Sequence, residues 1–268
     1  MSSTDAAFSG SIPALYDRCL GPLLFEPFAR DLAERVAAMA PRRILETAAG
    51  TGIVTATVLR ELPESEIVAT DLNQAMLDLA AQRVRSAAVS FQAADAQDLP
   101  FGDGSFDLVL CQFGVMFFPD RVRAYREANR VLKRGGLFLF NAWDSLAANP
   151  APEAAARAVA GLFPDDPPAF FERVPFGYFD KARIEKDLLA AGFEDVVVET
   201  VAKRSRAADP REAAVGLCMG TPLRAEIEAR DASRLEEATV AAAAALAAMA
   251  GAEGLDVPMS ALVVSARS

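Results

Sequence analysis

Ile44-Leu45-Glu46-Thr47-Ala48-Ala49-Gly50-Thr51-Gly52 is the stretch whose reading decides the fold. A strand pattern over Arg43 to Thr47 runs into a turn of small residues, and the turn opens a helical pattern over Ile53 to Glu61. Small residues let the main chain approach a ligand closely, and a helix N-terminus offers unpaired N–H groups and a positive dipole. That corner suits a nucleoside or a carboxylate. Nineteen residues after Gly52, Asp71 closes the next strand in Val68-Ala69-Thr70-Asp71-Leu72-Asn73. A carboxylate there can accept both hydroxyls of a ribose.

Outward from this corner, strand and helix patterns alternate. Upstream, Leu24, Phe25, Phe28, Leu32 and Val36 recur at helical spacing after Gly21-Pro22. Downstream, Glu66 to Thr70, Val89 to Ala93, Phe106 to Cys111 and Gly136 to Asn141 read as strands, with helices over Gln74 to Ser86 and Arg121 to Leu132. Such βαβ alternation predicts a doubly wound parallel sheet. Leu137-Phe138-Leu139-Phe140 is apolar on both strand faces, as in a central strand covered by helices on each side.

Beyond Trp143 the prolines Pro150, Pro152, Pro164, Pro167 and Pro168 predict an irregular insertion to about Phe179. A helix from Lys181 to Ala191, stopped by Gly192, leads to a strand over Asp195 to Val201. Asp209 to Ala250 is helical in pattern, and Ser260 to Ala266 reads as a closing strand.

Composition narrows the chemistry. With 27 basic and 37 acidic side chains, the net charge of −10 repels phosphate backbones, so nucleic-acid partners are disfavoured. The absence of histidine excludes histidine general bases and histidine-based metal or nucleophile sites. Cys19, Cys111 and Cys218 have no spacing for a disulfide framework or metal cluster, which points to reduced thiols in cytoplasm. Met1 to Gly10 lacks the basic and apolar parts of a secretory signal. Val240 to Ala252 is apolar but too short and alanine-rich for a membrane span.

Two cofactor classes use a glycine turn followed by an acid. A dinucleotide fold calls for a third glycine where Thr55 stands, and Glu46 would oppose a pyrophosphate. Nor does Tyr125 have the lysine of a Tyr-x-x-x-Lys pair, since Asn129 occupies that position. An NAD(P)-dependent oxidoreductase is therefore the weaker reading, and a non-catalytic cofactor-binding module is a third.

Glu46 to Gly52, Asp71, Asp95-Ala96 and Phe106-Asp107-Leu108-Val109 together resemble the successive motifs of class I S-adenosylmethionine-dependent methyltransferases. Glu127-Ala128-Asn129-Arg130-Val131-Leu132-Lys133-Arg134-Gly135-Gly136 is similar to the segment before strand five in the small-molecule branch typified by ubiquinone and menaquinone biosynthesis. Two departures stand out: Ala48 replaces the usual first glycine, and Arg134 a common proline.

The resemblance implies a Rossmann-like α/β fold with a doubly wound seven-stranded sheet and a reversed final strand. N-terminal helices and a helical insertion before the last strand would complete one domain over 1–268. Its parts would be an N-terminal cover (1–41), a cofactor-binding core (42–142), an irregular insertion (143–180), and a C-terminal part (181–268) with substrate cover at about 203–258.

By the same resemblance S-adenosyl-L-methionine is the cofactor. Ala48, Gly50 and Gly52 would pass its amino-acid end, with Glu46 setting that loop and its ammonium contacts. Asp71 would take the ribose, Leu72 and Met76 the adenine ring, Asp95 and Ala96 the adenine edge, and Gln112 the methionine portion. The reaction implied is methyl transfer to oxygen or carbon of a small, planar or apolar metabolite.

Aromatic faces can stabilise a sulfonium or stack a planar substrate. Phe113, Phe117, Phe118 and Trp143 follow strands four and five, where ligands bind in such sheets. Tyr16-Asp17 and Tyr178 are the polar candidates. Cys111-Gln112-Phe113-Gly114 stands where nucleic-acid amino-methylating enzymes carry Asp/Asn-Pro-Pro-aromatic, and Asp166-Pro167-Pro168-Ala169 reads as loop. Cys111 reads as core, no carboxylate cluster for a metal is visible, and the oligomeric state is open.

Overall fold

The computed structural model describes residue 10 and residues 12–268 of the chain. The signal-peptide expectation for Met1 to Gly10 falls, Gly10 apart, outside the described residues. Contacts divide the chain into two compact units. The sheet unit comprises Phe28–Trp143, Tyr178–Val201 and Ala261–Ser268; the helical unit comprises the chain up to Pro27, Asp144–Gly177 and Ala202–Ser260.

The strands are β1 (Arg43–Glu46), β2 (Glu66–Asp71), β3 (Val89–Ala93), β4 (Phe106–Gln112), β5 (Leu132–Trp143), β6 (Glu194–Ala207) and β7 (Leu255–Arg267), the last two running on between the units. Their order is β3-β2-β1-β4-β5-β7-β6. Neighbours from β3 to β5 are parallel, and β7 is antiparallel to β5, with Leu137 opposite Arg267 and Trp143 opposite Ala261. This is the Rossmann-like α/β sheet with a reversed final strand. The chain order changes direction between β1 and β4, and the crevice past the carboxyl ends of those strands is where ligands bind in such folds.

Burial explains the central strands. Ile44 and Leu45 of β1, Leu108 to Cys111 of β4 and Phe138 to Phe140 of β5 are all buried, as both faces of a sheet covered by helices require. The covering helices include Glu26–Met39, Ile53–Glu61, Gln74–Arg83, Arg121–Val131 and Lys181–Ala190. Phe28, Leu32 and Val36, the helical stripe read from the sequence, are buried.

Three expectations are corrected. Residues 143–180 are not irregular throughout: Pro150–Ala160 and Phe170–Arg173 are helices, because Pro150 begins the first of them, where its missing N–H costs nothing. The final strands outrun their apolar patterns, β7 starting at Leu255 and β6 reaching Ala207. The stretch from Asp209 to Ala250 is three helices, Pro210–Met219, Leu223–Asp231 and Leu235–Ala247, interrupted at Gly220 to Pro222 and by a short 3₁₀ turn at Ala232–Arg234.

Inside the helical unit, Tyr16–Phe25 is a π-helix that packs on Pro210–Met219, which in turn packs on Leu235–Ala247. A side chain on Gly216 would place its Cβ 2.7 Å from both Cys19 Cβ and Leu20 Cδ2. A glycine is therefore needed for these helices to cross so closely. Among the described residues no helix is long and apolar enough to cross a membrane.

Candidate functional site

The small-residue turn and the acid of β2 meet. Ala49 N donates to Thr70 O at 2.9 Å, and the next amide, Gly50 N, donates to Asp71 Oδ2 at 2.9 Å. Asp71 Oδ1 accepts Asn73 N at 2.8 Å, and the Asn73 side chain and the Leu72 N–H also donate to this carboxylate, which gathers the turn and the start of the next helix around it. Asp71 is 8% exposed. Burial pushes its carboxyl above the usual range, opposed by the bonds from Asn73 and Gly50.

Positive φ angles shape the turn: +52° at Ala48, +56° at Gly50 and +77° at Gly52. Around Gly50 a Cβ would meet nothing within 4 Å, leaving that face of the turn open. At Gly52 a Cβ would lie 2.9 Å from Ala80 Cβ, so this glycine lets Ile53–Glu61 pack against Gln74–Arg83. Ala48 is accommodated by a second glycine: a Cβ on Gly114 would lie 2.5 Å from Ala48 Cβ and 2.7 Å from Cys111 Sγ. The methyl group gained at 48 is balanced by the side chain absent at 114.

Glu46, at the carboxyl end of β1, is 2% exposed, and its Oε2 accepts Thr55 Oγ1 at 2.6 Å. Burial, and then the charge of Asp71, push its carboxyl up to about 8. No lysine or arginine among the described residues forms an ion pair with Glu46 or Asp71. Thr55, the residue in place of a dinucleotide fold's third glycine, thus supplies the one hydroxyl bonded to the buried acid.

The remaining predicted cofactor residues lie on the same unit. Leu72 is 64% exposed beside Asp71, whereas Met76 is buried in the first turn of Gln74–Arg83. Asp95 is exposed and its Oδ1 accepts Gln97 N at 2.8 Å in a local turn, with Ala96 half-buried next to it. Gln112 ends β4, half-buried, paired across the sheet with Asn141.

The aromatic candidates separate. Phe113, with φ +50°, stacks on Trp143 at 3.8 Å and 7°, and Phe28 meets both rings edge-on at 5.4 and 5.6 Å. The three rings are buried, so one face of Phe113 and one of Trp143 are taken by each other. Asn141 supports the unusual backbone: its Oδ1 accepts Phe113 N at 2.9 Å, and its own carbonyl accepts the same N–H at 3.2 Å. Phe117 is half-buried in the turn Val115–Phe117.

Tyr178 is 1% exposed, with its hydroxyl donating to Asp187 Oδ2 at 2.8 Å, and Tyr125 OH lies 3.4 Å away. Tyr178, a polar substrate candidate in the sequence, is thus packed in the core of the sheet unit. Burial pushes both phenols up, so neither is a proton acceptor at neutral pH. Tyr16 belongs to the helical unit, half-buried and stacked on Phe25 at 4.7 Å.

Cys111 is buried as core, and burial pushes its thiol up to about 12. Cys19, Cys111 and Cys218 are free and buried. Among the described residues, no group of three or more acids or cysteines is placed to hold a metal ion. Sequence reading missed Gly114, Asn141 and Arg121. Gly114 alone left a signal, the small residue two places after the end of β4.

A parallel sheet with a reversed seventh strand, a small-residue turn after β1 and an acid closing β2 is the arrangement that the resemblance to class I methyltransferases implies. Comparison with known proteins finds likenesses of the same kind. Residues 45–140 match the family model described as a methyltransferase domain.

A demethylmenaquinone methyltransferase of Thermotoga maritima is 36% identical over 122 residues, 46% of this chain and 52% of that one. The chain therefore spans about half the length of the curated relatives it matches. Among solved structures, the YcgJ protein of Bacillus subtilis superposes with a TM-score of 0.57 at 17% identity, covering 90% of this chain and 98% of that one. The [4+2]-cyclase SpnF does so with a TM-score of 0.57 at 23% identity, over 91% and 81%. At those identities the structures share the fold, and the cyclase shows that the fold serves more than one chemistry.

Proposed function

We propose that this chain transfers a methyl group from S-adenosyl-L-methionine to oxygen or carbon of a small, planar or apolar metabolite. The observation that carries the reading is the bond from Gly50 N to Asp71 Oδ2 at 2.9 Å. It brings the turn and the acid to one point at the switch between β1 and β4, where neither of the two carboxyls forms an ion pair among the described residues.

The residues fit the cofactor by the chemistry of their donors and acceptors. Asp71 would take the ribose hydroxyls in exchange for donors of its own turn, and the exposed Leu72 with Met76 offers an apolar edge for adenine. Asp95 and Ala96 would take the adenine amino edge, and Gln112 the methionyl portion. Gly50, with open space where a side chain would stand, lets the main chain approach. Glu46, held by Thr55, would balance an ammonium group. A pyrophosphate would instead meet two acids.

When bound, the cofactor supplies an electrophilic methyl on a sulfonium. The chain's part is to orient the acceptor and exclude water rather than to move protons. The sequence has no histidine, and the phenols of the sheet unit stay protonated. The packed Phe28–Phe113–Trp143 stack makes a rigid, dry wall at the carboxyl edge of β4 and β5.

The net charge of −10 fits a small-molecule acceptor rather than a nucleic acid, and three free, buried cysteines fit a reducing compartment such as cytoplasm.

Thermal unfolding with S-adenosylhomocysteine or NADH tests this. At a hundredfold excess over Kd the former is expected to stabilise by about 2.7 kcal/mol, and NADH by nothing measurable. The opposite pattern would favour the oxidoreductase. Stabilisation without cofactor demethylation across a metabolite panel would leave a binding module.

A further inference from the structure

The connection after β4 carries a cation without an anion. Arg121 begins the helix Arg121–Val131, and its side chain folds back over the loop that precedes it. One guanidinium nitrogen, Nη2, donates to Met116 O at 2.8 Å, and the guanidinium carbon lies 4.3 Å from the centre of the Tyr178 ring. Nε is shut off from solvent with no hydrogen-bond partner, and no described carboxylate pairs with the group. Its chain neighbour Asp120 is committed as the helix cap, accepting Arg123 N at 2.9 Å.

Three other arginines of the sheet unit give the contrast. Arg35, Arg43 and Arg130 each have a carboxylate within 3.1 Å. Around Arg121 the balance is positive. Arg183 lies 5.5 Å from the same Tyr178 ring, and the one acid there, Asp187, is shared between Tyr178 OH at 2.8 Å and Arg183 Nε at 3.9 Å. Two guanidinium groups thus face one carboxylate in a chain of net charge −10. Burial pulls the Arg121 guanidinium below its ordinary value, and Tyr178, Tyr125 and Asp187 offset only part of that.

We propose that Arg121, with Arg183 beside it, is an anion-binding subsite that takes the carboxylate of an aromatic ligand, the methyl acceptor in the reaction proposed above. A guanidinium fork matches the two oxygens of a carboxylate, and a planar acid lets the pair form with little rotamer loss. The aromatic part follows from the surroundings. Phe117 and Phe118, both half-buried, lie on the loop between Met116 and Arg121, and Phe179 next to Tyr178 is an exposed aromatic residue. The same loop begins at Gly114, opposite Ala48 of the small-residue turn, so the subsite and the turn share the carboxyl edge of the sheet. Only the identity of the ligand as acceptor rests on the methyl-transfer reading; the subsite stands on Arg121.

Calorimetry of benzoate and of its neutral analogue benzamide, titrated into the whole chain, tests the subsite, with S-adenosylhomocysteine titrated in parallel. Benzoate is expected to bind at least about tenfold more tightly than benzamide, and Arg121→Gln to lose about tenfold in benzoate affinity with S-adenosylhomocysteine affinity unchanged. Arg121→Lys, which keeps the charge but not the fork, should fall between. Arg183 is exposed, so Arg183→Gln is expected to fold even if the Arg121 variants do not, and to weaken benzoate by about threefold.

Equal affinity for benzoate and benzamide, no benzoate binding, or unchanged benzoate affinity in Arg183→Gln and in a folded Arg121→Gln would overturn the proposal. Each would make Arg121 a strut for Met116. Benzoate binding without S-adenosylhomocysteine binding would instead remove the methyl-transfer reading and leave the subsite in place.

Discussion

The two edges of the parallel sheet treat their acids in opposite ways. At the amino edge, Asp107 near the start of β4 accepts Arg43 N at 2.9 Å, Arg42 N at 3.1 Å and Lys133 Nζ at 2.7 Å. Partial burial alone would raise its carboxyl, but Lys133 and the two backbone groups outweigh that and hold it below the usual range. At the carboxyl edge, Glu46 and Asp71 are nearly fully buried, form no ion pair among the described residues, and are both raised. Acids at the amino edge are compensated by the chain itself and so contribute to stability. Those at the carboxyl edge have no such compensation within the chain, as the cofactor site proposed above would require.

The largest expected effect is in the pH dependence that this contrast produces. Glu46 has an ordinary value of 4.5 and stands at about 8 in the folded chain, so between those values the native state binds a proton that the unfolded state has lost. Its contribution is fully present below about pH 4.5 and lost as pH rises through about 8. Asp71, also raised, adds a loss of the same sign. Ligand-free stability should therefore fall by on the order of 1 kcal/mol per pH unit from Glu46 across that window. Urea unfolding of wild type and Glu46→Gln from pH 5 to 8 reads the difference, and parallel curves would mean the acid is already compensated. Binding of an ammonium group would favour the ionised form, so cofactor affinity should rise with pH in wild type and stay flat in Glu46→Gln.

Next in size is Asp71, the acid proposed for the ribose. Asp71→Ala should lose about 2 to 3 kcal/mol of S-adenosylhomocysteine affinity, roughly 30- to 150-fold, because charge-assisted bonds disappear. Calorimetry on the variant measures it. Unchanged affinity would leave Asp71 a turn residue that holds Gly50, Leu72 and Asn73.

The sequence shows the corner but not its supports. Ile44 to Gly52 and Asp71 are legible because strand period, small residues and a strand-ending acid are local signals, and β1 and β2 lie where those signals put them. Gly114 and Arg121 are not legible in that way. One matters because Ala48 lies across from it, the other because Met116 and Tyr178 leave it without an acid, and both facts are set by contacts distant in the chain. Tyr178 shows the reverse: its hydroxyl was visible in the sequence, whereas the packing that buries it on Asp187 and Arg121 was not. The same limit hid Pro150–Ala160, where prolines signal a break until one sees that the first of them opens the helix.

The Ala48–Gly114 pair sharpens the contrast by testing how closely the carboxyl edge is fitted. Gly114→Ala would drive a methyl group to 2.5 Å from Ala48 Cβ and 2.7 Å from Cys111 Sγ, at a cost of about 1 to 3 kcal/mol in stability. Adding Ala48→Gly should recover part of that, since the contact with Cys111 remains. A double-mutant cycle by chemical denaturation measures the coupling. Independent effects would mean the turn moves freely away from β4.

The smallest effect belongs to the amino edge, and its size is the point. In Asp107→Asn one oxygen still accepts backbone N–H groups while the charge opposite Lys133 is lost. Both partners are partly exposed, their side chains 50% and 30% accessible, so solvent screens the pair. The expected loss is about 0.5 to 1 kcal/mol. Because the Asp107 carboxyl is held low, its contribution is present above its ordinary value of 3.8 and fades on acidification, the sign opposite to Glu46. S-adenosylhomocysteine affinity should not change. An Asp107→Asn variant that folded normally but bound the ligand more weakly would show the two edges to be coupled through β4, and the division between a self-compensated edge and a ligand-compensated edge would fail.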